Sequence, residues 1–272
     1  MRSYGLLAIL ATAGLAGVGC RSVGWLPAEA DAFSSAQVTH RGQSIGSQLV
    51  LHGDFAFPPN NRLVKELVAQ RAIINDRLQL PETDRPIHVH LYVDEDSYEE
   101  NVIRRFPKFP QRRAIFVDDG LTLAVYAQRG AYEAVDLRHE VAHGYLHAAV
   151  PNIPLWLDEG LAEYFEVARG QSGINVPHVE LLLGQMEVAD WKPDLLRLQG
   201  LDDAATMSQL DYAEAWLWVH FLLSSSDRSD VIIGYLADLG ATDVPAPISV
   251  RIRRKLAHPT AALLEHLRSL AP

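Results

Sequence analysis

His139-Glu140-Val141-Ala142-His143 and Trp156-Leu157-Asp158-Glu159-Gly160-Leu161-Ala162-Glu163-Tyr164 are the two strings whose reading decides the fold of this chain. The first is HExxH. A helix rises about 1.5 Å per residue and turns every ~3.6 residues, so His139 and His143 stack on one face, about 6 Å apart along the axis. Two imidazoles at that spacing converge on one ion, about 2 Å from each ring nitrogen. Glu140 flanks the ion and reaches a metal-bound water without ligating the metal, the position of a general base.

Two protein ligands seldom hold a catalytic zinc, so a third is needed. His147 fails on distance, because it lies about 12 Å along the axis from His139. The longer pattern HExxHxxGxxH fails as well, since Leu146 and Ala149 occupy its glycine and histidine positions. Pro151 and Pro154 end the first helix near Val150. Pro154 to Asp158 then reads as the start of a second helix, with Asp158 as a possible cap. A helix-turn-helix of this length brings Glu159 back against the histidine pair. Glu163, one turn later on the same face, is placed to accept the second ring N–H of a ligating histidine. The alternative gives the ligand role to Glu163 and the supporting role to Glu159. The expected site is one Zn2+ on His139, His143 and Glu159, with an open position for water. HExxH by itself also arises in ordinary helices; the second string at helix-return spacing is what gives it weight. His147 reads as a partly buried or solvated helix residue.

At these residues the chain resembles the gluzincin metallopeptidases, specifically the short peptidase MA-like proteins. Trp156 to Tyr164 is similar to the WLNEGFAxY string of aminopeptidase N-type enzymes, where the Glu before Gly is the third zinc ligand; this implies that role for Glu159. In thermolysin's ligand helix a carboxylate four residues on orients a zinc-bound histidine, which implies that role for Glu163. Asp211-Tyr212-Ala213-Glu214-Ala215-Trp216 resembles the start of the aminopeptidase helix whose Tyr stabilises the tetrahedral intermediate. The resemblance thus implies Tyr212 as oxyanion donor, with His178 and His220 as lesser candidates. On its residues alone, Tyr212 is equally a core aromatic beside Trp216 and Val219. The resemblance is specific over residues 113–223 and looser from 49. No GAMEN-type string precedes the first helix, so an anchor for a free N-terminus is not implied, and the reading leans toward an endopeptidase.

The chain has 272 residues, 48% of them hydrophobic, enough for one sizeable core. Its formal net charge of −10 argues against a nucleic-acid partner, since phosphate contacts need basic patches. Arg2 and the uncharged run Ser3 to Gly19 read as a signal peptide. The run ends at Cys20, the only cysteine, and Leu15 to Cys20 resembles a bacterial lipobox, although Gly17 stands where Leu is usual. Residues 1–20 are therefore expected to be a leader, Cys20 a lipidation site, and 21–46 a tether between membrane and domain. That implies export to a cell envelope, bacterial, with a plain secreted form as the alternative. Oligomeric state has no signal.

The remaining chain, 47–272, divides into a sheet-rich part to 130 and a helical part from 131. Strands are expected at Gln48–Phe57, Ile87–Leu91, Arg113–Val117 and Leu121–Ala127, the last two joined by a turn at Asp118-Asp119-Gly120. Asn60 is expected to cap a helix running to about Leu80, and a short helix to span Glu95–Arg105. His88 and His90 alternate with apolar residues and read as solvent-facing. The fold class is α+β, zincin-like, with the metal between the two parts. The resemblance further implies that the last strand before the active helix, Leu121 to Ala127, is an exposed edge that pairs with substrate backbone. Two functions compete: peptide hydrolysis with Glu140 as base, and a non-catalytic, surface-anchored binding or scaffolding module that keeps the fold. A third possibility is tightly gated proteolysis.

Overall fold

The computed structural model describes residues 43–45, 48–53, 55, 61–106, 112–242 and 245–271. The leader, Cys20, most of the expected tether and Asn60 lie outside them. Five strands come first: β1 Gln43–Ile45, β2 Leu49–Gly53, β3 Ile87–Tyr92, β4 Ala114–Asp118 and β5 Leu123–Gln128. Ten helices accompany them among the described residues. Those that matter for the site are α1 Arg62–Leu78, α2 Glu95–Tyr98, α3 Glu133–Ala149, α4 Leu155–Phe165, α5 Val176–Ala189 and α7 Gln209–Leu223. The protein is α+β, a mixed sheet followed by a helical half. No helix of the described residues is long and apolar enough to cross a membrane.

The sheet order is β1-β2-β3-β5-β4. β2, β3 and β5 run parallel, while β1 and β4 pair antiparallel at the two ends. One face, carrying Leu51, Val89 and Val125, packs into the main core with α1 and α3. The other carries His52, His88, His90 and Tyr126; Tyr98 and Val102, from α2 and the π-helical turn after it, cover part of that face. His88 and His90 are half-buried, and His88 Nδ1 lies 2.9 Å from His52 Nε2.

Four expectations are corrected here. The edge strand is β4, and Leu121–Ala127 is not an edge: β5 inserts beside β3 and displaces its own hairpin partner outward. In that hairpin Gln128 N–H donates to Arg113 O, so Ile115 and Val117 point their backbone groups at β5, and Ala114 and Phe116 point theirs away from it. The turn expected at Asp118-Asp119-Gly120 is a wider connection, residues 119–122, in which the Asp119 side chain accepts from the backbone N–H of Leu121 and Thr122. β1 lies within the stretch read as tether. The first helix is capped by Asn61, whose side chain accepts from Val64 N–H.

Glycines set how closely the site helices approach their neighbours. A Cβ on Gly144 of α3 would lie 2.9 Å from the Ile87 side chain of β3. On Gly160 of α4 it would lie 2.6 Å from the backbone oxygen of Ala215 in α7. α7 is buried all round, as its near-continuous apolar run requires, and begins with a Ser208/Asp211 capping box. Arg113, just before β4, grips Asp136 in the first turn of α3 through two contacts of 2.9 Å, which fixes the edge strand against α3.

Candidate metal centre

α3 and α4 form the expected helix-turn-helix. α3 ends at Ala149 with Val150 extended, and α4 starts after Pro154. Asp158 is not a cap; it lies inside α4 and is fully buried. His139, Glu140, His143 and Glu159 are brought together, all of them without solvent exposure.

The histidines point Nε2 toward each other, 3.2 Å apart. Glu159 Oε2 lies 3.5 Å from Nε2 of His139 and 3.6 Å from Nε2 of His143. Three donors about 2.0–2.1 Å from a tetrahedral zinc stand about 3.4 Å from one another, so this triangle has the right size for one ion. Both carboxylate oxygens of Glu159 are buried without a hydrogen bond. A buried carboxylate in that condition costs several kcal/mol, and a divalent cation among the three atoms removes the penalty. His139, His143 and Glu159 therefore fit a zinc ion. Two neighbouring groups also bring ligand atoms together: His143, His147 and Asp158, and His139, Glu163 and Glu166. In those groups the carboxylates already accept ring or amide N–H groups.

Carboxylates stand beside the far nitrogens of the two rings. His139 Nδ1 lies 2.9 Å from Glu166 Oε2, and His143 Nδ1 lies 3.0 Å from Asp158 Oδ2. A second ring N–H held by a carboxylate fixes the tautomer and aims Nε2 at the ion. Glu163, expected in this role, is instead 2.8 Å from His178 Nε2 and accepts from Asn175 at 3.3 Å. Glu166 stands at the last turn of α4, seven residues after Glu159 and so on the same face; the spacing Glu159, Glu163, Glu166 was the signal for it. Asp158 also faces His147 Nε2 at 3.0 Å, and His147 Nδ1 lies 3.3 Å from Asp118 at the end of β4. His147, excluded as a ligand, thus bridges two carboxylates.

No protein-family model and no curated protein matches this chain. The chain is similar to solved structures of an M1 zinc metallopeptidase from Deinococcus radiodurans. A point mutant of that enzyme aligns with a TM-score of 0.47 and 14% identity, over 85% of this chain and 50% of that one. The same mutant bound to a Tyr-Ser-Ala substrate gives 0.44 and 14%, over 84% and 49%. This chain spans about half the length of those structures.

Electrostatics follow from the packing. Burial pushes His139 down, but Glu159 and Glu166 outweigh it and hold the ring well above the ordinary histidine range. Burial likewise opposes the charge on His147, yet Asp158 and Asp118 raise it to about 9. Burial works against the Asp158 anion too, and His143 and His147 overcome it, holding this carboxyl well below the usual range. Burial and the neighbouring Glu163 push Glu166 up, while His178 keeps Glu163 low against its own burial.

Tyr212 is buried in the first turn of α7, its hydroxyl 3.5 Å from the Ala204 carbonyl. Gly160 meets Ala215, and the Tyr164 ring lies 5.8 Å from that of His220, so α4 and α7 run in the same direction. Tyr212 is therefore in register with the first turn of α4, near Trp156 to Glu159. The lesser candidates are engaged elsewhere, His178 on Glu163 and His220 on His266 at 2.8 Å.

Proposed function

We propose that this chain is a zinc-dependent peptidase, acting as an endopeptidase on peptide or protein substrates. The observation that carries the reading is the triangle of His139 Nε2, His143 Nε2 and Glu159 Oε2, with Glu159 otherwise lacking hydrogen bonds. His139, His143 and Glu159 hold the ion, and Glu166 and Asp158 orient the two rings. Zinc bound there supplies a Lewis acid that lowers the pKa of its water toward ~7. Glu140 would take up the proton of the attacking water and pass it to the leaving amine. Tyr212 is the proposed oxyanion donor, supported by its register with the first turn of α4. The reading also places the chain at a bacterial cell envelope, held by lipid on Cys20; the leader's sequence alone supports that part.

The complete burial of His139, Glu140, His143 and Glu159 favours a second reading, in which the ion stabilises a binding module. Elemental analysis and a peptide-library assay on wild type, Glu159→Ala and Glu140→Gln separate the two. Peptidase function requires near-stoichiometric zinc in wild type and Glu140→Gln, zinc loss in Glu159→Ala, and turnover in wild type alone. Bound zinc without cleavage of any peptide supports the module.

A further inference from the structure

Behind His139, on the side away from the ion-binding atoms, α3 turns a different face to α1. Successive helix positions are about 100° apart, so Arg138 and Tyr145 face α1 while His139 and His143 face α4. Gln70 of α1 donates to the carbonyls of Arg138 at 2.8 Å and Phe165 at 3.1 Å, and the Tyr145 hydroxyl donates to Leu67 O at 3.0 Å. Between α1, Arg138, the end of α4 and His220 lies a cavity of about 570 Å³, within the range of small-ligand sites.

Its charge is one-sided in a chain whose formal net charge is −10. Arg77, Arg138 and Arg169 line it against a single carboxylate, Glu66. That carboxylate is already shared, 2.8 Å from Arg62 and 3.4 Å from Arg138. His220 adds no charge, because burial and then His266 push it down to about 4. Each guanidinium carries five N–H donors in a fork suited to carboxylates. Arg138 commits Nε to the Glu166 carbonyl and Nη1 to Glu66. Arg77 commits Nη2 to the Leu223 carbonyl, and Arg169 is exposed at the mouth. Donors remain on all three.

The apolar wall is firmly built. Tyr164, Phe165 and Ile73 supply it, and the loop after α4 is pressed onto Tyr164. Gly173 has φ +74°, and a Cβ there would lie 2.2 Å from the Tyr164 ring. Trp216 Nε1 pins the same residue by donating to its carbonyl at 2.9 Å.

We infer that this cavity binds a small carboxylate with an apolar body, the carboxylate held by Arg138 and Arg169 at the Glu66 end of α1 and the body laid against Tyr164 and Phe165 toward Arg77. The inference does not depend on the peptidase reading. It is tested by calorimetric titration of the full chain with N-acetylphenylalanine and with its neutral amide, before and after chelation of metal. The acid is expected to saturate the protein and the amide to bind at least about tenfold more weakly. The preference should survive the chelator. Arg169→Ala, a surface change that leaves the core untouched, and Arg138→Lys should each weaken the acid severalfold and leave the amide unaltered. Equal binding of acid and amide, no saturation by about 10 mM, or affinity unchanged in both variants overturns the inference. So does acid binding that disappears with the chelator, which would put the carboxylate on the metal.

Discussion

Glu166 Oε2 lies 2.9 Å from His139 Nδ1, and Glu163, three residues earlier, faces His178 instead. The carboxylate placed to aim the first histidine is thus the residue that caps the C-terminal end of α4. Removing a carboxylate that orients a ligating histidine costs about 10–100-fold in metal affinity. Glu166→Gln is expected to weaken zinc by that factor and Glu163→Gln by no more than about threefold, measured by competition with a chromophoric chelator. Equal losses would return the role to Glu163.

Asp158 holds His143 as Glu166 holds His139, at 3.0 Å. Asp158→Asn keeps the shape and removes the charge. Zinc affinity is expected to fall about tenfold or more, and His147 loses one of its two carboxylates, so thermal stability of the metal-free protein should fall as well. A variant with wild-type affinity and wild-type Tm would rule out this support.

His147 predicts a pH dependence. Its pKa is raised to about 9 from an ordinary 6.5, so its contribution is complete below ~6.5 and is lost as pH rises through ~9. Asp158 and Asp118 are held low, so their contributions are present above the ordinary carboxylate range near 3.8 and are lost as pH falls. The network therefore stabilises most between about pH 4 and pH 6.5 and weakens steadily from there to about pH 9. At pH 7, His147→Gln is expected to cost about 2–4 kcal/mol, and the gap to wild type should narrow by pH 10. Denaturant titrations at the two pH values check this; a gap that widens with pH is incompatible with it.

Gly160 and Gly144 make a matched pair. The Cβ of Gly160→Ala meets rigid backbone at 2.6 Å, so α4 and α7 must separate, at a cost of about 1–3 kcal/mol. The Cβ of Gly144→Ala meets the Ile87 side chain at 2.9 Å, which can shift, and alanine favours the helix. That variant should stay within about 1 kcal/mol of wild type. Thermal melts showing Gly144→Ala as the more damaged protein would reverse the argument.

HExxH and the returning acidic string were legible because helix geometry alone fixes which side chains share a face. The same periodicity ran on to Glu166, one step beyond where Glu163 satisfied the expected pattern. The edge strand was not legible: Ala114–Asp118 and Leu123–Gln128 form a hairpin in either arrangement, and only the docking of β5 onto β3 decides which one faces outward. Asp158 looked like a cap because acids favour helix starts; Pro154 opens the helix instead, leaving Asp158 inside to meet His143 and His147.

The sequence by itself determined the two helices, the spacing of His139, Glu140 and His143, and the return of Glu159, since these follow from local rise, turn and proline breaks. Only the tertiary structure decided which acids stand beside the rings of His139 and His143, that His147 bridges Asp118 to Asp158, and that three arginines line one cavity along α1. Those pairings join distant segments, and their partners are set by how closely helices and sheet pack, down to the two glycines that let them touch.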